Sequence, residues 1–189
     1  MLKQLFILLF RLITDPISSW EKLSEKQETD NENFYKSYLF PIFGIIALFS
    51  FVGVLLTTKT FEVQLALKTV IKQLIVYGGG FYLASQFLFG YIFPRFELEK
   101  DKLISERFVG YSSSVVYVVA MLHALFPNLF LLEIFTLYTI YIIWIGASRF
   151  LGIKENQWIK FTIFASVLIM LIPFLLYWIV SLVMPGLKT

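Results

Sequence analysis

The chain has 189 residues, of which 58% are hydrophobic, 19% aromatic and only 15% charged. Soluble domains carry about 25% charged residues, so this composition excludes an ordinary soluble protein. The net charge of +3 does not indicate nucleic-acid binding, because the cations flank apolar segments instead of sharing one polar face. With no cysteine, the chain has no disulfide, thiolate zinc site or iron–sulfur cluster. We predict no cofactor and no metal.

Four long stretches of the chain contain a single charged residue between them, Glu133. These stretches are residues 37–58, 73–94, 108–148 and 161–187. A helix needs about 20 apolar residues to cross the hydrocarbon core, and the third stretch, which is divided by Pro127-Asn128, is long enough for two crossings. We therefore predict an all-α, multi-pass membrane protein with five transmembrane helices over residues 36–187. Their approximate bounds are 37–57, 73–93, 108–126, 129–148 and 159–184.

Residues 2–13 are apolar almost all round but too short to span a bilayer. They do not read as a signal peptide, because Arg11 interrupts the apolar run and no small-residue cleavage site follows. We predict an interfacial or bundle-packed helix, and the sequence leaves open whether it lies on the membrane or packs within it.

Asp15-Pro16 begins a second, amphipathic helix. Asp is a preferred N-cap, and Pro is tolerated at the first helical position because its missing N–H would be unpaired there. Capping is favoured over a general-base role for Asp15, since no acid, base or nucleophile lies at a useful spacing. Trp20 lies on the apolar face and is predicted to anchor this helix to the bilayer surface or to the underside of the bundle. With the polar linker Ser24–Asn33, these helices form an amphipathic cytosolic or interfacial segment over residues 1–35.

The orientation follows from the distribution of the 16 Lys and Arg residues. Twelve of them lie in the N-terminal segment and in the second and fourth connections between spans, and four lie on the other side. The positive-inside rule then predicts an N-terminus inside and a C-terminus outside.

The Pro94–Arg107 loop, which contains Arg95, Lys100 and Lys102, is dense in both signs of charge. Such a loop is usually a solvated connection. If the protein has a docking surface for a partner or for the membrane, we expect this loop to form it together with Asp15, Pro16 and Trp20.

His123 and Glu133 are the only ionisable groups of residues 108–148, apart from tyrosines. Ionisable groups inside membranes are functional candidates, because an unpaired buried charge costs about 2.5–3.5 kcal/mol or more. Both lie near the Pro127-Asn128 turn, which favours interfacial residues that hydrogen-bond to each other. The alternative is a proton-linked or metal-coordinating pair, although two ligands are too few for a metal site.

Small and polar residues mark the second and third spans. They are Gly78, Gly79, Gly80 and Gln86 in the second span and Gly110, Tyr111, Ser112 and Ser113 in the third. Glycine and serine let helices approach closely, so helix packing is favoured over a filter or hinge. If Gln86 and the serines faced one another, they would line a polar path.

Several motifs occur in an order that is typical of one family. DPISSWEKL precedes a span that opens YLFPIFG, RFVGYSSS opens the third span, and LFPNL separates the third span from the fourth. Together with five spans, this pattern resembles the Yip-domain family, polytopic membrane proteins related to the Golgi Ypt/Rab-interacting proteins. The chain lacks the proline that relatives often carry after Gly110-Tyr111, so no proline kink is expected there. The resemblance is to the compact bacterial form of the family, so it implies a bacterial inner membrane and a role in membrane organisation or trafficking. GTPase binding follows from the resemblance alone, and the long N-terminal region of eukaryotic members is absent.

The leading prediction is a non-enzymatic adaptor that binds lipids, other membrane proteins or a second copy of itself. The alternative is a transporter or channel for a small solute or lipid, with Gln86, Ser112, Ser113 and His123 lining its path. An intramembrane enzyme would need a perturbed ionisable pair inside the bundle, and only His123 and Glu133 could supply it.

Overall fold

The computed structural model describes residues 2–25, 34–58, 62–98 and 101–184. All regular structure in these ranges is helical, which confirms the predicted all-α class. The N-terminal segment forms α1 (Leu2–Thr14) and α2 (Pro16–Glu25). Lys100 and most of the polar linker lie outside the described residues.

The first predicted span begins with a turn of π-helix, Tyr35–Leu39, and continues as α3 (Phe40–Thr57). The second lies in one long helical run from Val63 to Arg95. In that run α4 (Val63–Leu74), α5 (Gly80–Phe87) and α6 (Phe93–Arg95) are separated by π-helical turns at Ile75–Gly79 and Leu88–Ile92.

The third predicted span consists of α7 (Lys102–Ser112) and α8 (Ser114–Leu125), which meet at an angle of 47°. The bend occurs without a proline. Ser113 Oγ donates to the carbonyl of Val109 at 2.7 Å, and Ser114 Oγ donates to the carbonyl of Tyr111. Serine hydroxyls that bond back to their own helix favour such bends, so the bend lies where the serines are.

The fourth predicted span begins with a 3₁₀ segment, Phe130–Leu137, and continues as α9 (Tyr138–Arg149). Before the fifth, the 3₁₀ turn Glu155–Gln157 precedes α10 (Trp158–Val183), which contains Pro173.

Among the described residues, three helical runs are long and apolar enough to cross a membrane: Tyr35–Thr57, Leu131–Arg149 and Glu155–Val183. The bent pair α7–α8 makes a fourth if it is one span. The run that holds the predicted second span is not among them, and its three consecutive glycines and Gln86 reduce its apolar content. A membrane protein with several apolar helices is therefore supported, while five spans and the orientation of the termini stay predictions.

The core lies where α1, α2 and the first turns of α3 and α7 meet α9 and α10. It is rich in fully buried aromatic side chains, among them Trp20, Phe93, Phe108 and Phe161. Their rings stack or meet edge to face, as at Phe108 and Phe161, whose centroids are 5.6 Å apart.

Candidate functional site: a basic cavity beside the N-terminal helices

The N-terminal helices pack onto the bundle as a hairpin. α1 buries Leu5, Leu9 and Leu12, which recur every three or four residues and so lie on one face of the helix. At the turn, Asp15 Oδ1 accepts a hydrogen bond from the Ser18 backbone N–H at 3.3 Å, as expected for a cap. The hydrogen bonds from the side chain and backbone of Ser18, aided by the charges of Lys22 and Arg11, lower the pKa of Asp15.

Trp20 is fully buried. Its Nε1–H donates to the carbonyl of Ile142 at 3.0 Å, and its ring centroid lies 5.6 Å from that of Phe108 and 5.1 Å from that of Phe150. The ring fits against Gly146, where an added Cβ would lie only 2.8 Å from it. Trp20 therefore holds α2 to the bundle, which was one of the two anchoring roles predicted for it. Because α7 and α9 enclose its ring, the Trp20 side chain is not part of an exposed docking surface.

α2 runs alongside α9 instead of lying across its end. Tyr138 Oη, at the start of α9, donates to the carbonyl of Ile13 at 3.0 Å, and Arg149, at its end, pairs with Glu21 at 3.1 Å. These two contacts are eleven residues apart on α9, or about 16 Å at a rise of 1.5 Å per residue. The sequence predicted either an interfacial or a bundle-packed helix for residues 2–13. In the structure α1, like α2, packs against the bundle.

A cavity of about 550 Å³ lies between this hairpin and the bundle. It opens between α1, α2, the first turn of the first span and the second half of α7. The wall from the hairpin includes Gln4, Leu5, Ile7, Leu8, Arg11, Ser19, Lys22 and Leu23, and the wall from the bundle includes Phe34, Ser37, Tyr38, Arg107 and Tyr111.

The charges that line the cavity are all positive within the described residues. Arg11 and Lys22 are exposed at its mouth, while Arg107 is only 5% exposed. The neighbouring carboxylate, Glu106, is engaged elsewhere: it accepts a hydrogen bond from Tyr35 Oη at 2.5 Å and lies 3.7 Å from Lys102 Nζ. Guanidinium and ammonium groups bind phosphate and carboxylate through charge-assisted hydrogen bonds, so this cavity can hold an anion.

Beside the cavity, ion pairs join three connections into one surface, which we call the charged end. Glu21 pairs with Arg149, and Glu97 of the Pro94–Arg107 loop pairs with Lys154 at 3.3 Å. Arg95 and Lys102, both predicted to contribute to docking, are exposed here. Asp101 caps α7, since its Oδ1 accepts from the backbone N–H of Leu103 at 2.7 Å.

The side chains of the predicted polar path do not share either of two cavities in the described part of the chain. Ser113 borders a void of about 10 Å³ inside the bundle, too small for a solute, and neither this void nor the basic cavity is lined by Gln86, Ser112 or His123. Ser112 is fully buried. These two cavities therefore give no support to the transporter alternative, which stays a prediction.

His123 and Glu133 are not joined by a hydrogen bond or an ion pair in the described part of the chain. His123 is half-buried near the end of α8, and Glu133 is exposed in the 3₁₀ turn. The predicted hydrogen bond between them is therefore wrong. The same ranges contain no group of three His, Asp or Glu side chains that could hold a metal ion.

The glycines act in helix packing. A Cβ on Gly80 would lie 2.9 Å from Pro173 of α10, and one on Gly110 would lie 2.6 Å from the Phe34 ring. Gly78 and Gly79 have ordinary contact distances to side chains of Phe43 and Leu176. Neither cavity described above gives these glycines a channel to line, which agrees with the packing interpretation.

Sequence reasoning missed the buried ionisable residues Arg107, Glu106 and Lys72. Arg107 and Glu106 were counted as charges of the Pro94–Arg107 loop. The spacing of four between Arg107 and Tyr111, which places these two residues on one face of a helix, was the available signal for Arg107. Lys72 is 5% exposed and lies 3.6 Å from the centre of the Tyr177 ring, a cation–π contact that its local sequence does not indicate.

In comparisons with known proteins, no family model matched the chain, and no curated protein or solved structure matched it either.

Proposed function

We propose that this protein is a non-enzymatic, membrane-organising or trafficking adaptor that binds other membrane proteins and lipids. The proposal includes five spans, an N-terminus inside, a bacterial inner membrane and membership of the Yip-domain family, on the motifs given above. It includes no catalytic residue and no cofactor. GTPase binding has only the family resemblance behind it.

The charged end is the observation that carries this proposal. Two ion pairs between segments far apart in sequence, Glu21–Arg149 and Glu97–Lys154, bring the N-terminal hairpin, the Pro94–Arg107 loop and the α9–α10 connection to one end of the bundle. Exposed ion pairs contribute little to stability, about 0–1 kcal/mol each. A fixed array of both signs of charge is instead suited to steering and orienting a partner protein.

The same arrangement supports the proposed orientation. The segments joined by these pairs belong to the three regions of the sequence in which twelve of the 16 cations lie, namely the part before the first span and the second and fourth connections. Because the positive-inside rule concerns cations beside the ends of spans, the contact between these regions favours a cytosolic charged end.

Site-directed photo-crosslinking in native membranes tests the proposal. A photoreactive phenylalanine analogue at Lys154 would probe the charged end, and the same analogue at Asn128, exposed at the predicted opposite end, would be the matched control. We expect a reproducible adduct with one membrane protein from position 154 and none from position 128, and we expect Glu97→Lys to remove it. Adducts with lipid alone from both positions would refute the adaptor function.

A further inference from the structure

We propose that the basic cavity binds the headgroup of an anionic phospholipid, with the phosphate between Arg11, Lys22 and Arg107. This names the lipid partner of the proposed function, and it rests on that function for the membrane placement of the charged end.

The first argument is charge. Three cations from three different elements, α1, α2 and α7, line one cavity of about 550 Å³, and none of the described residues that line it is a carboxylate. Arg107 carries its charge at any accessible pH, whatever its hydrogen-bond partners, because a guanidinium is not deprotonated in proteins. Three cations that line one cavity give it a positive potential, which attracts an anion.

The second argument is the shape and lining of the cavity. Its volume is within the range of about 300–1,000 Å³ that is typical of small-ligand sites. The hydroxyls of Ser19 and Ser37 add hydrogen-bond donors, and Leu8 and Leu23 supply apolar contacts. This mixture of cations, hydroxyls and apolar groups matches a phosphate attached to a glycerol and two acyl chains better than it matches a free ion.

The third argument is the surface that adjoins the cavity. α1 forms one wall, and its face outside the cavity exposes Leu2, Phe6 and Phe10, at 54%, 51% and 68%. Three large apolar side chains exposed on one face of a 13-residue helix are stable in the acyl region of a bilayer and unfavourable in water. A lipid whose phosphate enters the cavity would therefore have its chains along this face.

One competing occupant comes from the chain itself. The linker between α2 and the first span carries Glu28, Asp30 and Glu32, whose carboxylates could neutralise the same cations. The experiment must therefore separate a lipid from this internal anion and from free phosphate.

The test uses the purified full-length protein in detergent, with native mass spectrometry as the readout. The probes are phosphatidylglycerol and phosphatidylcholine with identical acyl chains, so that only headgroup charge differs. The variants are Arg11→Gln and Lys22→Gln, which alter exposed side chains at the mouth of the cavity. Lys3→Gln, an exposed cation of α1 outside the cavity, is the matched control.

We expect retention of phosphatidylglycerol over phosphatidylcholine, weakened about fivefold by each cavity variant and unchanged by Lys3→Gln. The fivefold effect corresponds to about 1 kcal/mol for one cation beside an anionic headgroup. Equal retention of both lipids, or an equal loss in Lys3→Gln, would overturn the proposal. Displacement of phosphatidylglycerol by glycerol 3-phosphate at equal concentration would assign the site to free phosphate instead.

A variant in which Glu28, Asp30 and Glu32 are changed to amides tests whether the carboxylates of the linker occupy the cavity. If selectivity for phosphatidylglycerol appears only in that variant, the linker fills the cavity and the lipid proposal is wrong. Because no partner protein is present, failure here is distinct from failure of the adaptor function, which the crosslinking experiment measures.

Discussion

Replacing Trp20 by Ala should detach α2 from the bundle without unfolding the membrane helices. The side chain is fully buried, donates one hydrogen bond to the carbonyl of Ile142 and touches the rings of Phe108, Tyr111 and Phe150. Removing it empties the space against Gly146, where the ring is so close that an added Cβ would lie 2.8 Å from it.

The expected magnitude follows from this environment. Truncation of a buried Trp to Ala costs about 3–5 kcal/mol, and the cost is greatest where the site cannot collapse. The lost hydrogen bond is part of that cost, with a share of about 1 kcal/mol. Because the wild-type contact is local to the hairpin, we expect most of the loss to appear as hairpin opening and not as global unfolding.

Thiol labelling measures this opening. The chain has no cysteine, so Ser19→Cys, at a position that is 6% exposed, gives a single reporter beside Trp20. When opening and closing are fast, the labelling rate by a maleimide follows the open population. A loss of about 3 kcal/mol then raises the rate about 100-fold or more in nanodiscs.

The control is Trp178→Ala, which removes the same side chain from an exposed position on α10. The labelling rate of the double variant Ser19→Cys/Trp20→Ala is compared with that of Ser19→Cys alone. A difference of less than about twofold would refute the reasoning. So would an equal increase from Trp178→Ala.

Two further predictions concern helix contact and pH. Gly53→Ala should destabilise the bundle by about 3 kcal/mol, because a Cβ there would lie 1.8 Å from the backbone oxygen of Ala124. Gly44→Ala is the control and should be neutral, because a Cβ at Gly44 would have nothing within 4 Å. Denaturant titration of both variants measures the two effects, and equal destabilisation would contradict the prediction. The lowered pKa of Asp15 means that its capping contribution is complete above the ordinary Asp pKa of about 3.9 and is lost as pH falls through the folded value. The thermal midpoint of the wild type should therefore fall more between pH 5 and pH 3 than that of Asp15→Asn, and parallel falls would show that the cap does not titrate.

Local sequence was sufficient for the helical class and the turn of the hairpin. Uncharged stretches of about 20 residues predict apolar helices because the length of a span depends only on bilayer thickness. Asp15-Pro16 predicts a helix start because capping uses atoms within three residues of each other. The structure has the helix start where it was expected, and apolar helices long enough to span a membrane in three of the predicted spans, or four if the bent pair α7–α8 is one span.

The partners of single side chains could not be predicted in the same way. Trp20 was assigned an anchoring role at the bilayer surface or beneath the bundle, and the choice depended on Ile142, which is 122 residues away. Likewise, the local sequence does not distinguish Arg107 and Lys72 from cations at the membrane interface. They are buried only because neighbouring helices cover them. The His123–Glu133 pair failed because closeness in sequence across a turn does not aim two side chains at each other.

The sequence by itself therefore determined that this is a helical membrane protein with two N-terminal helices that meet at Asp15-Pro16 and with cations concentrated beside a few connections. Those properties depend on hydropathy, charge and capping, which act over one to six turns of helix. The tertiary structure alone decided that these two helices pack along α9, that Trp20 is buried against the bundle, and that Arg11, Lys22 and Arg107 share a cavity. These outcomes depend on which helix faces meet, and close packing between distant segments determines that.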